Sequence, residues 1–361
     1  MSHEILPRYE IRQSYQWNYD HAPDPIDSDQ VSVVGEYQIC GLPIESPLAV
    51  AAGPLLNGRW VLYYASLGFD VLTYKTVRTE YRDCYPMPNL LPVPDHPLHS
   101  SSQSLTAESQ MAGSWAISFG MPSKLPDIWQ ADVEWTRRQL DPQKRLAVSV
   151  VATVQPDWTL QEVAKDYARC ARWAVDAGAD LIEINLSCPN VSTCDGQLYQ
   201  QPEDARVVAE AVKEAISETP LLAKIGFVPD DTRALALLSE LADSVDAMIM
   251  VNGISARILD AEGGSCFGGE YRGVGGLAIF DRCVDQVSRF RKLVSEHQFP
   301  TEIVGCGGVA TADDVLAMLD AGALAVQIAT AAMIDPALGL TLRRELNRRR
   351  TGCESRNNRS S

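Results

Sequence analysis

Leu181-Ile182-Glu183-Ile184-Asn185-Leu186-Ser187-Cys188-Pro189-Asn190 begins as an apolar run and ends in two carboxamides and a thiol. The run has the length and composition of a buried strand, so the polar residues fall where a strand gives way to a loop. A thiol there can remove or deliver a proton, and the asparagines can hold a ligand through paired donors and acceptors.

The same strand pattern recurs outward from this stretch. Short apolar runs rich in β-branched residues occupy 47–53, 70–77, 145–153, 181–187, 221–226, 247–253, 302–308 and 325–331. Helix-period segments separate them. Leu160, Val163, Ala164, Tyr167, Ala171, Ala174 and Val175 form one apolar stripe, and Val207, Val208, Ala211, Val212, Ala215 and Ile216 form another. Thr311 followed by Asp314 reads as a helix cap, with Gly322 as the stop. Eight strand–helix alternations predict an α/β fold, a (β/α)8 TIM barrel, for which about 250 residues is typical. A doubly wound sheet would place a Gly-x-Gly-x-x-Gly turn after its first strand, and none is there.

The surplus length falls outside the alternation. Residues 1–30 read as a polar N-terminal arm, and 31–37 with 39–43 as a short hairpin opening a barrel domain that extends to 350. Residues 78–112 are an insertion rich in proline and serine, 254–274 a glycine-rich loop expected to act as a mobile lid, and 351–361 an expected disordered tail. Long loops after barrel strands usually build the rim of the active site.

Among 361 residues, 46% are hydrophobic and 22% charged, as in globular proteins. The net charge of −16 argues against a nucleic-acid backbone or an anionic membrane as partner. Arg343, Arg344, Arg348, Arg349 and Arg350 oppose that trend and read as helix cations complementing the dipole. The charged N-terminus lacks a signal-peptide core, and no apolar run approaches the ~20 residues of a membrane span. Nine scattered cysteines with no Cys-x-x-Cys fit reduced thiols, a cytoplasmic location and no structural metal or cluster. His96 and His99 lack companion acids and read as solvated loop residues.

Strand C-terminal ends face the active site in this barrel class. Those ends carry Ala51-Ala52-Gly53, Lys75-Thr76, Asn185 with Cys188 and Asn190, Lys224, Asn252, Gly307-Gly308 and Ala329-Thr330. A lysine that finishes an apolar run is costly to bury unless an anion or acceptor meets it. Gly305-Cys306-Gly307-Gly308 and Gln327-Ile328-Ala329-Thr330 stand at strands seven and eight, where barrels commonly bind phosphate through backbone N–H groups. The set describes a phosphate-bearing cofactor across the barrel mouth with lysines beside it.

With Tyr74-Lys75-Thr76, Ala223-Lys224-Ile225, Gly275-Gly276 and Gly305-Cys306-Gly307-Gly308 supporting Asn185–Asn190, the chain resembles the FMN-dependent dihydroorotate dehydrogenase family over about residues 31–350. It also shares motifs with the flavin domain of dihydropyrimidine dehydrogenase. The resemblance implies that Cys188 takes a proton from substrate carbon while a neighbouring carbon gives a hydride to flavin N5. It implies that Lys224 stabilises the reduced ring and that Lys75 contacts flavin and substrate. Asn185, Asn190 and Asn252, with the Phe119-Gly120-Met121 turn, would hold a pyrimidine ring. Ala51, Ala52, Gly53, Thr76, Gly275, Gly276, Cys306, Gly307, Gly308, Ala329 and Thr330 would line the FMN site. A cysteine rather than serine at 188 implies the soluble class, often homodimeric.

The substrate loop departs from the family pattern. Ile117 and Ser123 stand where asparagines are usual, and Gly253 where serine or threonine is. Losing a carboxamide from a buried amide site can cost ~10⁴-fold against a given substrate. The expected function is oxidation of a dihydropyrimidine, first of all (S)-dihydroorotate to orotate. Alternatives are the same chemistry on another cyclic amide such as dihydrouracil, or a non-catalytic flavin barrel serving as a partner subunit. Fumarate, NAD through a separate electron-transfer partner, and a quinone all stay open as oxidants. A structural role also stays open for each lysine as a salt-bridge member, and for Cys188, Cys194 and Cys306 as packing thiols.

Overall fold

The fold comes from a computed structural model that describes residues 6–98, 103–187 and 197–357, with side chains as far as 349. The alternation of runs and helical segments is realised as a closed parallel barrel. Its strands are β1 (Leu48–Val50), β2 (Val71–Val77), β3 (Arg145–Val150), β4 (Leu181–Asn185), β5 (Leu221–Lys224), β6 (Ala247–Met250), β7 (Glu302–Cys306) and β8 (Ala325–Ile328). Each pairs with its neighbour in sequence, and β8 closes on β1 through Val326 opposite Leu48. Most strands stop short of the predicted runs at their C-terminal ends, because those last residues leave the ladder to line the mouth.

Alternate side chains point into the barrel, and the interior is layered. Ala49, Val71, Ala147, Leu181, Leu222, Ala247 and Ala325 form an apolar floor capped by Ile39 and Ile44. Those two belong to a hairpin, Tyr37–Ile39 and Leu42–Ile44, that plugs the bottom. The hairpin lies later than the predicted 31–37 and 39–43. Cys40 and Gly41 both take positive φ, 49° and 74°, so the chain reverses there; a cysteine gives little warning of such a turn.

The outer helices start as their caps dictate. Thr311 Oγ1 accepts from Asp314 N at 3.2 Å while Asp314 Oδ2 accepts from Thr311 N at 2.9 Å, opening helix Ala312–Asp320. Gly322, at φ 108°, follows its end. The C-terminal helix, Leu338–Asn357, runs into the stretch expected to be a disordered tail.

One loop expectation is corrected, and the rim insertion is given its form. Residues 254–274 hold strands Ile254–Leu259 and Tyr271–Gly276, not a free lid. The 78–112 insertion contributes Leu90–Val93 and Ser104–Thr106. With Ser114–Ile117 these build a five-stranded sheet on the barrel, ordered 90–93, 114–117, 271–276, 254–259, 104–106. The alternation Ile254-Ser255-Ala256-Arg257-Ile258 was present in the sequence, with Ile254, Ala256 and Ile258 buried, but the glycines after it masked the pattern.

A second correction concerns Arg343, which is sealed inside in a buried ion cluster rather than acting as a cation that complements the helix dipole. Its Nη2 donates to both oxygens of buried Asp70 at 2.6 Å, its Nε to Gly68 O at 2.7 Å and its Nη1 to Val31 O at 2.9 Å. Asp70 also receives Lys144 Nζ at 3.0 Å and the Ser46 hydroxyl. The cluster fastens the C-terminal helix and the 31–46 segment to the start of β2. Asp70→Ala leaves two buried cations without their carboxylate and is expected to cost about 3–5 kcal/mol. Urea unfolding of the variant beside the parent measures this; a loss under ~1 kcal/mol would show that the cluster is dispensable.

Candidate active site

The strand ends and the rim sheet enclose one cavity of about 570 Å³. Ala51, Ala52, Gly53, Lys75, Thr76, Asn185, Lys224, Asn252, Cys306, Gly307, Gly308, Ala329 and Thr330 all line it. So do Phe119, Gly120 and Met121 from the loop after the rim strand, and Gly275 and Gly276 from the rim itself. Cys188 and Asn190 lie outside the described residues.

Lys75 and Thr76 are consecutive in β2 yet both reach the cavity. The β2–β3 register shifts between Tyr74 and Val77, and such an irregularity re-aims side chains that would otherwise alternate. Thr76 Oγ1 lies 3.0 Å from Ser149 Oγ inside the barrel. Lys75 is only 6% exposed, and its ammonium hydrogen-bonds to nothing among the described residues. Burial pulls its pKa down to about 8; the nearby Arg78 and Lys224 cations push the same way, against Cys84 and Glu183.

Lys224, 4% exposed, is held differently. Its Nζ donates to Gln327 Oε1 at 2.6 Å, and Gln327 Nε2 donates to Thr73 Oγ1 at 2.9 Å and Glu183 Oε2 at 3.0 Å. Glu183 and Gln327 thus form a polar layer between the apolar floor and the mouth. Glu183 was not singled out from the sequence, and Gln327 was named only within the stretch read as a phosphate site; both pass as members of apolar runs. The only signal was a carboxylate and a carboxamide at inward-facing strand positions. Glu183 Oε1 and Ser187 Oγ are buried with no partner among the described residues.

Asn185 Oδ1 accepts from Ser187 N at 3.0 Å, shaping the turn that leads towards Cys188. Its Nδ2 lies 3.6 Å from Met121 Sδ, joining β4 to the Phe119–Met121 turn. That turn uses positive φ at Gly120 and Met121 and is backed by Tyr9 and Tyr15 edge-on to Phe119. The N-terminal arm is therefore part of the wall behind the cavity. Of the departing residues, Ile117 and Gly253 line the cavity and Ser123 does not. Ser123 Oγ accepts from Arg78 N at 3.0 Å and donates to Lys124 O at 2.9 Å, so it braces the insertion. Gly253 lies against the rim, where an added Cβ would stand 3.1 Å from Val274 O.

The glycines opposite the lysines permit close backbone approach. At Gly307 a Cβ would fall 2.5 Å from Cys283 Sγ, and at Gly276 2.1 Å from Gly113 O, both at positive φ. The N–H groups of Gly307, Gly308 and Thr330 donate to nothing among the described residues. Free N–H groups beside a hydroxyl are a donor set suited to a phosphate. Cys306, between them, is buried, and burial pushes its thiol pKa up despite Lys224.

A closed parallel barrel with buried lysines and glycines around a cavity at its C-terminal mouth defines a TIM-barrel protein whose cavity lies at the end where barrel enzymes act. The chain belongs to the dihydroorotate dehydrogenase family, whose sequence pattern it matches over residues 116–349, and it is an oxidoreductase. It is 29% identical over 360 residues to the "Dihydroorotate dehydrogenase" of Dictyostelium discoideum, covering 92% of this chain and 96% of that one. It is 28% identical to the "Dihydroorotate dehydrogenase B (NAD(+)), catalytic subunit" of Desulforudis audaxviator, covering 82% and 86%. The protein of the same name from Methanocaldococcus jannaschii is 24% identical, covering 80% and 84%. Among the described residues no helix is long and apolar enough to cross a membrane.

The depressed Lys75 pKa has a thermodynamic consequence. Between about pH 8 and the ordinary lysine value of 10.5, the folded chain has lost this proton while the unfolded chain keeps it. Stability contributed at this position therefore rises with pH across that window, by roughly 3 kcal/mol when complete. Denaturant titrations of the ligand-free protein should show Lys75→Met more stable than the parent at pH 7, with the gap closing by pH 10.5. A gap that does not change with pH would show that Lys75 is not a desolvated cation.

Proposed function

We propose that the chain binds FMN across the barrel mouth and oxidises (S)-dihydroorotate to orotate. The observation that carries this reading is the convergence of both buried lysines, the Asn185 and Asn252 carboxamides and the glycine cradle on one cavity of about 570 Å³. Family membership supports the substrate, since the relatives named above are dihydroorotate dehydrogenases.

The residues present fit the cofactor. At Gly276 and Gly307 a Cβ would strike Gly113 O and Cys283 Sγ, so only glycine lets the backbone lie this way at the cavity, and the N–H groups of Gly307, Gly308 and Thr330, unbonded among the described residues, suit its phosphate. Lys224, fixed by Gln327, supplies a positioned cation for its ring, an arrangement worth most where water is excluded. When bound, FMN supplies the hydride acceptor.

The chain's own residues would do the rest. Asn185 and Asn252, with Asn190, present donor and acceptor pairs to the amide edges of a cyclic substrate. Lys75 offers its cation to substrate or cofactor from a desolvated position. Phe119, Ile117 and Met121 keep that side of the cavity apolar. Cys188 takes the proton from the substrate carbon as general base. Ile117 favours a second reading, a less polar ring such as dihydrouracil, because an apolar side chain lines the cavity where the family pattern has a carboxamide. For electron exit, the resemblance to proteins named NAD(+)-linked catalytic subunits supports a separate electron-transfer partner.

Purified protein should be yellow, and its absorbance should bleach when dihydroorotate is added without oxygen. Bleaching by dihydrouracil alone would move the substrate to the second reading, and a colourless protein that FMN cannot reconstitute would sink both. Cys188→Ser should keep FMN yet slow bleaching by at least ~100-fold, because serine is a far weaker base at neutral pH. In the parent the rate should climb with pH towards the ordinary thiol value near ~8.5. A flat profile would remove Cys188 from proton transfer.

A further inference from the structure

We propose that Glu183 is a positioning residue: acting through Gln327, it orients Lys224 and sets the net charge beneath the cofactor. The proposal rests on the reading that FMN occupies the cavity.

Glu183 is 1% exposed on β4, inside the barrel, and lines the floor of the cavity. Among the described residues only its Oε2 is hydrogen-bonded, to Gln327 Nε2 at 3.0 Å, while Oε1 is buried without a partner. A carboxylate in that condition is expensive to bury, and well-packed apolar side chains could fill such space at equal or better stability. Its retention therefore points to charge rather than to packing.

The orientation of Gln327 shows where that charge acts. Its carboxamide faces an ammonium on one side and a carboxylate on the other, with Thr73 beside the carboxylate. Only one orientation satisfies both: the oxygen towards Lys224 and the NH2 towards Glu183. Reversed, the amide would set donor against donor and acceptor against acceptor. The Glu183 charge therefore fixes the amide, and the amide fixes Lys224 Nζ at 2.6 Å. Chains of this kind polarise one another in a low-dielectric interior.

Lys75 on β2, Lys224 on β5 and Glu183 on β4 are the charged side chains that the barrel strands bring to the cavity, two cations and one anion, while Arg272 and Asp335 line it from the rim strand and from the segment after β8. Lys224 and Glu183 also act in opposite directions on the neighbouring Cys306 thiol of β7. Glu183 is thus the counter-charge that keeps two adjacent lysines compatible. Removing its charge while keeping its shape leaves a more positive floor, which favours the electron-rich form of a cofactor lying above it.

Glu183→Gln tests this, with the midpoint potential of bound FMN as the readout, since a purely packing role would leave the potential unmoved. The potential should become more positive by a factor of about ten in the reduction equilibrium, about 30 mV for a two-electron couple. In a Lys224→Met background the same substitution should give a different shift, because the charge still acts while the part carried by Lys224 orientation is gone. A Glu183→Gln protein with the parent's potential overturns the proposal, and so does an equal shift in both backgrounds. The ligand-free protein supplies a second measurement, a thermal-unfolding cycle of Glu183→Gln, Lys224→Met and the double variant. Glu183→Gln alone should unfold earlier, and adding Lys224→Met should recover most of the loss; additive effects would overturn the coupling. Failure to bind FMN at all would instead sink the cofactor reading, while the unfolding cycle would still decide whether Glu183 and Lys224 act as a unit.

Discussion

Closure of the sheet on itself is the constraint on which the rest depends. Once β8 pairs with β1, every inward side chain enters a space that its neighbours must fill and from which water is largely excluded. At the bottom the chain meets this demand with alanine, valine and leucine and with the Ile39–Ile44 hairpin. Higher up it places Thr73, Glu183, Gln327 and Lys224, joined by hydrogen bonds of 2.6–3.0 Å. The polar layer is tolerable because its members meet one another, apart from one carboxylate oxygen.

That layering explains why chemistry collects at one end. A buried lysine in the apolar floor would have no compensating partner, whereas Lys224 at the end of β5 has Gln327 and lies at the cavity. The irregular register of β2 brings Lys75 to the same place. The rim sheet then walls the mouth with strands from the insertion and from the 254–276 ribbon. Far from the cavity, Asp70 gathers Arg343, Lys144 and Ser46. The Asp70 cluster and the Lys224–Gln327–Glu183 chain obey one rule, that a buried ion is met by opposite charge and hydrogen bonds, whereas Lys75 is buried with no hydrogen bond among the described residues.

The barrel was legible because its signals are local. Each strand is a short apolar run, and most strand ends carry a lysine, carboxamide or glycine whose position follows from that run. The described candidates accordingly share a cavity. What escaped reading is non-local or disguised. The rim sheet joins segments more than 150 residues apart, such as Ile117 with Gly273, and no single-window pattern reports such a pairing. Glu183 and Gln327 are indistinguishable in sequence from polar residues on a solvated strand face until the barrel closes around them. Arg343 resembles the other arginines of its helix, and only its reach to Asp70, 273 residues away, sets it apart. The hairpin slid because Cys40 takes a turn conformation its side chain does not advertise.

The structure also separates the sequence departures by consequence. Ser123 is bonded to the backbone of Arg78 and Lys124, outside the cavity, so its difference from the family pattern bears on the fold of the insertion. Gly253 faces the rim backbone, where a side chain would approach Val274 O, so its smallness suits the ribbon. Ile117 and Gly253 both line the cavity, and Ile117 is the one that puts an apolar side chain into its wall, opposite Gly273 and in contact range of a Cβ on Gly275. An apolar wall there withholds a donor that a carboxamide would offer, and a polar ring group facing it must find its hydrogen bond elsewhere or go without. On the proposed reading, the departures that bear on substrate choice are therefore Ile117 and Gly253, at the cavity, and not Ser123.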